Sequence, residues 1–398
     1  MPPIILDISR SVSRVSRGRL TGIDRVEIAY IEHFLEWPSP VGFLARFRRH
    51  NILLDRSGMR ILLSLLKANG PWDNPDILGR IRRRRRLAST KVESTLRRLS
   101  VCWSLKSLNF DKLVSDGFTY INVGHGAFHP TFWEKLRAVN VGKIVLLVHD
   151  VIPLDYPQYC DPKSVKTFET EFRSALEQAD MLIYNSTDTK NRTERWLREW
   201  GANVDGHVNL LGTNALPAPA KTTPPSSPYF VILGTIEPRK NHRLLLDIWT
   251  NFHETLPHEK IPHLHIVGGR GWQNEKVFKT LDQAPFMGVT VHEIGQASDA
   301  DLGRLITNAK ALLFPSFAEG FGYPLIEAMQ LNTPVICSNL ACFAEIGGEF
   351  PTYIDPENST AWREHILTAT TQNSNVAKIS HKMTDWPEHF HKLTTILD

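Results

Sequence analysis

A strand, a glycine loop and a helix follow one another in the stretch Ala311-Leu-Leu-Phe-Pro-Ser-Phe-Ala-Glu-Gly-Phe-Gly-Tyr-Pro-Leu-Ile-Glu-Ala-Met-Gln330. The apolar run up to Pro315 is typical of a strand that is buried on both faces. Two glycines follow, and Pro324 stands where a helix would begin, because proline is tolerated in the first helical turn. Such a unit is the building block of a parallel α/β sheet.

The same alternation extends through the rest of the chain and predicts an α/β fold with doubly wound parallel sheets. The segment 52–107 is predicted to be helical but irregular. The predicted strands are 3–9, 41–47, 120–125, 143–149, 181–185 and 207–211, and then 229–233, 263–267, 289–294, 311–315, 335–338 and 352–354. The predicted helices are 23–37, 162–178, 188–200, 241–253, 299–308, 324–330 and 378–397.

A proline-rich segment at 215–228 breaks this alternation and has the composition of a linker. It divides the strands into two series, each long enough for a doubly wound domain. Ligands bind such sheets outside the carboxyl ends of the strands, so two facing sheets would form a cleft for two substrates. The predicted organisation is an N-terminal domain at 1–214, the linker, a C-terminal domain at 229–375, and a terminal helix at 376–398 that packs back toward the N-terminal domain.

Composition places the chain among ordinary globular proteins. It has 398 residues, 42% hydrophobic and 22% charged, enough for two or three domains with sizeable cores. The four cysteines lack metal-ligand spacing, and no apolar run approaches the roughly 18–20 residues that span a bilayer. At the N-terminus the apolar residues precede the arginines, the reverse of a signal peptide. These features predict a soluble, cytoplasmic protein without cofactor or metal.

Positive charge is concentrated in one part of the chain. Residues 44–106 contain 16 Lys and Arg against 4 Asp and Glu, including the run Arg82–Arg86. The run could be a solvated surface, or it could attract anionic lipid headgroups or a phosphate-bearing acceptor at the inner face of the plasma membrane. Nucleic-acid binding is not predicted, since few aromatic residues lie between the arginines and no reading module accompanies them.

The glycine loop is the best candidate for a ligand site. The backbone of Gly320 and Gly322 can approach an anion closely, and the start of the following helix adds positive partial charge. Phe321 and Tyr323 would present their backbone to the same diphosphate. Glu319 before the loop and Glu327 within the helix could accept hydrogen bonds from sugar and ribose hydroxyls. The stretch therefore suits a nucleotide sugar.

Further polar residues follow other predicted strands. Arg239 and Lys240 come shortly after the strand at 229–233 and could neutralise a departing diphosphate. His149 and Asp150 end the strand at 143–149 and would point into the cleft. The remaining candidates are Gly234 and Thr235 beside the two cations, Gly22 near the start of a helix, where a simple helix cap by Thr21 competes with a ligand role, and Asn185-Ser186 after a further strand.

Together these motifs resemble the retaining GT-B glycosyltransferases of family 4. The resemblance covers most of the chain and is strongest at 229–345. The two glutamates of the family signature match Glu319 and Glu327, its Glu-Pro-Arg-Lys phosphate site matches residues 237–240, and its cleft histidine looks like His149. The segment Val148-His-Asp-Val-Ile-Pro-Leu154 is similar to the subgroup that builds bacterial O-antigens and exopolysaccharides.

This resemblance implies two Rossmann-like domains that face a cleft, with the acceptor bound by the N-terminal domain and the nucleotide-sugar donor by the C-terminal domain. It also implies a metal-independent hexosyl transfer. Many members of the subgroup use GDP-mannose, while others use UDP-glucose or dTDP-rhamnose, and the implied acceptor is a saccharide or a polyprenyl-diphosphate-linked saccharide. In one departure, Thr235 stands where many relatives have an arginine. The alternatives are an epimerase-like enzyme of the same fold, or a non-catalytic basic adaptor for membrane or nucleic acid.

Overall fold

The computed structural model describes residues 1–15, 22–47, 50–68, 70–81, 87–104, 108, 110, 113–114, 117–126, 128–218, 225, 227–295, 297–372 and 383–397. The basic run Arg82–Arg86 lies outside these residues, so its role remains a prediction. None of the helices in the described ranges is long and apolar enough to cross a membrane.

The secondary structure follows the predicted alternation. The strands are β1 (Ile4–Asp7), β2 (Val41–Phe47), β3 (His50–Leu54), β4 (Cys102–Ser104), β5 (Thr119–Asn122), β6 (Lys143–Val148), β7 (Met181–Tyr184), β8 (Asp205–Val208), β9 (Tyr229–Leu233), β10 (His263–Val267), β11 (Val291–Ile294), β12 (Ala311–Phe314), β13 (Val335–Ser338) and β14 (Thr352–Ile354). The helices are α1 (Ser9–Arg14), α2 (Gly22–Leu35), α3 (Arg56–Ala68), α4 (Ile77–Ile81), α5 (Leu87–Leu99), α6 (Pro130–Arg137), α7 (Ile152–Asp155), α8 (Pro162–Gln178), α9 (Thr187–Glu199), α10 (His242–Thr255), α11 (Glu275–Gln283), α12 (Asp299–Thr307), α13 (Tyr323–Gln330), α14 (Ala341–Gly347), α15 (Ser359–Thr371) and α16 (Trp386–Leu397).

These strands form two sheets. The first has the order β4-β3-β2-β1-β5-β6-β7-β8 and the second the order β11-β10-β9-β12-β13-β14. In the second sheet all the observed pairings are parallel, as predicted. Helices cover both faces of each sheet, so the α/β fold class with parallel sheets is confirmed.

The helical interpretation of 52–107 was wrong at both ends of that segment. β3 and β4 extend the first sheet as antiparallel strands. Only two residues separate β2 from β3, and a connection that short allows only an antiparallel pair. The apolar residues of β3 run directly into the amphipathic helix α3, which hid the strand within a helical pattern.

One hydrophobic cluster joins the two halves. It contains Leu6 and Val145 from the first sheet, Val231 and Leu312 from the second, and Leu393 of α16. Separate clusters lie on the other face of the first sheet and on the other face of the second. Apolar burial is the main favourable term in folding, so the shared cluster holds the halves together.

Helix α16 also makes polar contacts with the first half of the chain. The hydroxyl of Tyr30 in α2 lies 2.8 Å from Nε2 of His389. The side-chain amide of Asn209 donates to the carbonyl of His389 at 3.1 Å. The C-terminal helix therefore packs on the first half, while the predicted boundaries at 214, 228 and 375 stay predictions.

Candidate functional site

The glycine loop after β12 lies against the first half of the chain. The carbonyl oxygen of Gly320 accepts hydrogen bonds from the hydroxyls of Ser186, at 3.1 Å, and Thr189, at 3.2 Å. Nearby, the Glu345 carboxylate accepts from the backbone N–H of Thr187 at 2.8 Å. These contacts bring the carboxyl ends of β7 and β12 to one place, as parallel α/β sheets require of a ligand site.

Glu319 is paired with both of the predicted phosphate-binding cations. Lys240 Nζ lies 2.5 Å from Glu319 Oε1, and Arg239 Nη1 lies 2.8 Å from Oε2. Arg239 also pairs with Glu237 at 2.7 Å. A short 3-10 turn, Pro238–Lys240, presents the two cations beside the loop after β12. The structure thus brings together residues that lie 79 positions apart in the chain.

The charges of this cluster stabilise one another. Burial alone would raise the pKa of Glu319, but the charges of Arg239 and Lys240 outweigh it and lower the pKa to about 2. Burial lowers the pKa of Lys240, and Glu319 opposes that effect. At neutral pH Glu319 is therefore an ionised carboxylate that lies between Arg239 and Lys240, and all three side chains are largely buried.

Two glycines set the shape of the loop. A Cβ at Gly320 would lie 2.0 Å from the carbonyl oxygen of His149 and 2.8 Å from Cβ of Asp150, so no other residue fits without separating the two halves. Gly322 precedes α13 with φ of 122°, which L side chains rarely adopt. Phe321 beside them is buried. At Gly320 the loop packs against the first half of the protein, while the approach of its backbone to a ligand stays a prediction.

Glu327 lies one turn into α13 and pairs with a cation from the first half of the chain. Arg25 Nη1 lies 2.5 Å from Glu327 Oε1, and Arg25 Nη2 lies 3.2 Å from Asp299 Oδ1. No role was predicted for Arg25 from the sequence. Its position in the first turn of α2, beside the candidate Gly22, is the feature of the sequence that could have indicated a role at the site.

Gly22 faces an aromatic ring in this structure. A Cβ there would lie 3.1 Å from Cδ2 of Tyr323. The Tyr323 hydroxyl donates to the carbonyl of Gly212 at 3.3 Å. Gly22 and Tyr323 therefore pack together across the two halves, close to the Arg25–Glu327 pair.

His149 and Asp150 have different surroundings, although they are neighbours at the end of β6. His149 Nε2 lies 2.8 Å from the carbonyl oxygen of Val123, which can only accept, so Nε2 carries the hydrogen. Burial, followed by the neighbouring His125, lowers the pKa of His149 to about 3, so the ring is neutral. Its side chain is thus held by the first half. Burial raises the pKa of Asp150, and the positive charge of Arg239 opposes that rise. Asp150 therefore lies beside the charged cluster, unlike His149.

The remaining donor-site candidates lie at the end of β9. Gly234 adjoins Lys240, because a Cβ there would lie 3.3 Å from Cε of that lysine. Thr235, the predicted departure from the family pattern, is exposed. Its hydroxyl supplies no charge, so Arg239 and Lys240 carry the positive charge at this position.

A polar network that the sequence analysis missed lines a small cavity next to Glu319, Asp150 and Gly320. Arg192 Nη1 lies 2.9 Å from Asp155 Oδ2, and its Nε lies 2.9 Å from Asp188 Oδ2. Asp155 is almost fully buried and also accepts from Trp196 Nε1 at 2.7 Å. The network comes from α7 and α9, which are separated in the chain by α8 and β7, so no local motif predicts it.

A second cluster of buried ionisable side chains lies near the ends of β1 and β2. Asp7 accepts from Arg46 Nε at 2.5 Å and from the Tyr120 hydroxyl at 2.6 Å. Glu27 is completely buried and accepts from the backbone N–H of Ser11 at 2.7 Å. Burial raises the pKa of Glu27 to about 8, so this carboxyl is protonated at neutral pH.

We expect the Glu27→Gln substitution to change how stability depends on pH. The stability that the bound proton contributes is present below about pH 4.5, the ordinary range of a glutamate, and is lost as the pH rises through about 8. From about pH 5 to about pH 9 the parent should lose roughly 2–4 kcal/mol of unfolding free energy relative to Glu27→Gln. Urea unfolding of both proteins from about pH 5 to about pH 9 measures this difference in unfolding free energy. Glu36→Gln, at an exposed site, should leave the pH profile of the parent unchanged; identical profiles for parent and Glu27→Gln would contradict the assignment.

Comparison with protein families gives two matches. Residues 218–385 match the family described as glycosyl transferases group 1. Residues 124–209 match the family described as glucosyltransferase 3-like, N-terminal domain. The two ranges contain the charged cluster around Glu319 and the His149–Asp150 segment, respectively.

The chain is similar to several curated proteins. The serotype-specific mannosyltransferase WbdA of Escherichia coli is 30% identical over 228 residues, which cover 53% of this chain and only 28% of WbdA. The O-antigen chain mannosyltransferase B of Escherichia coli is 27% identical, covering 62% of this chain and 65% of that protein. The O-antigen chain mannosyltransferase RfbU of Salmonella typhimurium is 33% identical, covering 35% of this chain and 37% of RfbU.

Solved structures share the architecture across the whole chain. A sucrose-phosphate synthase of Thermosynechococcus elongatus superposes with a TM-score of 0.62 at 16% identity, covering 100% of this chain and 98% of that one. HepE of Anabaena, in complex with UDP-glucose, gives a TM-score of 0.62 at 15% identity, covering 100% and 99%. At these identities the likeness shows the fold, which is GT-B. Residues 218–385 of this chain are therefore a domain of the glycosyl transferases group 1 family.

Proposed function

We propose that this protein is a retaining glycosyltransferase that moves a hexose from a nucleotide sugar to an acceptor hydroxyl. The observation that carries the proposal is the cluster of Glu319, Arg239 and Lys240, which lies beside a glycine loop in a group 1 domain. An anionic group for sugar hydroxyls and two cations for phosphates lie side by side there. A nucleotide sugar has the same two features adjacent to each other.

In this proposal the diphosphate binds Arg239, Lys240 and the backbone of Phe321–Tyr323. Both basic side chains contact Glu319, so a diphosphate that binds them competes with this carboxylate and leaves it available to the sugar hydroxyls. Glu327 holds the ribose. That role requires it to share or give up its ion pair with Arg25, so donor binding would be coupled to the contact between the two halves.

The transfer needs no protein nucleophile. The bond between the sugar C1 and the phosphate oxygen breaks, and its electron pair leaves with the nucleoside diphosphate, whose charge Arg239 and Lys240 stabilise. The acceptor hydroxyl attacks C1 from the same face, and its proton passes to the departing phosphate. Gly320 packs tightly against His149 beside the cluster, and in this proposal that contact helps to keep bulk water from C1, which would suppress hydrolysis of the donor. The reaction is proposed to be independent of metal and cofactor.

We propose mannose as the sugar and GDP-mannose as the donor. The support is that the proteins named WbdA, RfbU and O-antigen chain mannosyltransferase B are mannosyltransferases by name. The proposed acceptor is a saccharide, free or linked to polyprenyl diphosphate, in surface polysaccharide synthesis. A cytoplasmic location at the inner face of the plasma membrane is supported by the excess of basic residues at 44–106.

A screen of nucleotide binding tests this function. Melting of the tag-free protein is followed with GDP, UDP, dTDP and ADP, with and without EDTA. A selective rise with GDP that EDTA does not abolish supports the donor assignment, because a ligand that binds only the folded state stabilises it. GDP-mannose is then supplied with and without a mannose-containing acceptor. Stabilisation by no nucleotide would refute the donor site, and conversion of the donor sugar without acceptor would identify an epimerase instead.

A further inference from the structure

Three histidines converge on one face of the second sheet, at a place that the proposed transfer does not use. His263 and His265 stand two positions apart on β10, so their side chains share a face. His292 on β11 is the direct partner of His265 in the parallel ladder and therefore lies on that same face. The opposite face carries Leu264, Ile266 and Val291 of the hydrophobic core.

The ring nitrogens are as close as metal ligands. One nitrogen of each histidine lies within 4.8 Å of the other two. Nδ1 of His263 and Nε2 of His292 are 3.2 Å apart. Ligand nitrogens about 2.0–2.1 Å from a tetrahedral Zn²⁺ lie roughly 3.3 Å from each other, so this pair already has the required spacing.

Other contacts orient His265. Its ring stacks on Tyr229, with centroids 4.5 Å apart and planes 10° apart. Its Nδ1 is buried and has no hydrogen-bond partner among the residues that the structure describes. An imidazole nitrogen that is withdrawn from water and unsatisfied costs free energy, which a metal ion or a trapped water would recover.

From these contacts we propose that His263, His265 and His292 form a binding site for a first-row divalent metal ion of intermediate softness. Zn²⁺ is the expected ion. Neutral imidazole suits Zn²⁺, Co²⁺ and Cu²⁺ and does not suit Mg²⁺ or Ca²⁺, which prefer oxygen ligands. A water would complete the tetrahedron. The ion would link the edge strand β11 to β10 and so strengthen the end of the sheet.

The site is separate from the donor site. His263 is the first residue of β10 and His292 the second of β11, so these two lie toward the amino ends of the strands, while His265 lies in the middle of β10. The cluster around Glu319 lies beyond the carboxyl ends of β9 and β12, at the opposite side of the sheet. A metal here would affect stability without taking part in transfer.

The test uses the tag-free full-length protein, stripped of metal with EDTA and then dialysed. Zn²⁺ binding is measured by calorimetry, and Co²⁺ binding by the visible absorption that tetrahedral cobalt gives. We expect one equivalent of Zn²⁺, a higher melting temperature with Zn²⁺ and no effect of Mg²⁺. His292→Asn and the double variant His263→Asn/His292→Asn should weaken Zn²⁺ binding at least about tenfold, because the first loses one ligand and the second loses two.

His365→Asn, which alters an exposed histidine on α15, is the matched control and should bind Zn²⁺ like the parent. If the parent binds no Zn²⁺, or if His292→Asn and the double variant bind it as well as the parent does, the three histidines are a hydrogen-bonded, stacked group and the proposal is wrong. Circular dichroism of each variant confirms folding, so a lost site is distinguished from a lost fold.

Discussion

Replacing Glu319 with glutamine should lower kcat for sugar transfer by about a hundredfold or more, with the largest loss in the chemical step. Glutamine keeps the size of the side chain but removes the negative charge that faces the sugar as positive charge develops at C1. Because the pKa of Glu319 is about 2, the parent carboxylate is ionised at any working pH, whereas glutamine carries no charge. The loss of kcat should therefore not be recovered at higher pH. Initial rates against donor concentration, at several pH values, measure it.

Binding should separate this catalytic effect from a loss of structure. Because Glu319 competes with the diphosphate for Arg239 and Lys240, the Glu319→Gln variant should bind GDP at least as tightly as the parent. The control is Glu345→Gln, which removes a carboxylate from another contact between the halves, the one with Thr187, and should retain nearly full activity. Parental kcat in Glu319→Gln would remove this residue from the mechanism.

The double substitution Arg239→Ala/Lys240→Ala should weaken GDP binding by about a hundredfold or more. A hydrogen bond to a charged group contributes roughly 1.5–3 kcal/mol, and the variant loses one such donor group from each residue. The loss should be specific to the phosphates, so binding of guanosine should change little. Calorimetric titration with both ligands measures the difference.

A neighbouring arginine gives the matched control for this variant. Arg243 lies one turn further along in α10, is 64% exposed and pairs with Asp247 at 3.4 Å. Arg243→Ala should bind GDP like the parent. Unchanged GDP affinity in the double variant, or an equal loss in Arg243→Ala, would contradict the phosphate assignment. Removing both cations also leaves Glu319 buried without its charge partners, so a lower melting temperature is expected.

Much of the fold could be predicted from local sequence, because a strand that is buried on both faces needs a continuous apolar run. The residues Ala311–Phe314 and 144–148 satisfy that requirement and lie in inner strands of the two sheets. The glycines at 320 and 322 indicated a close backbone approach for an equally local reason. The hairpin partner β3 was missed, since a short strand that runs into a helix has no periodicity of its own.

The types of residue at the candidate site could be predicted from the sequence, but the contacts between them could not. Local sequence determined the α/β alternation, the glycine loop and the presence of acids and cations after the strands, because each depends on neighbouring residues. Only the tertiary structure placed Glu319 against Arg239 and Lys240, Glu327 against Arg25, and His263 and His265 beside His292. Such contacts join residues far apart in the chain, and Coulomb attraction and ligand geometry depend on distance in space, which sheet order and the packing of the two halves set.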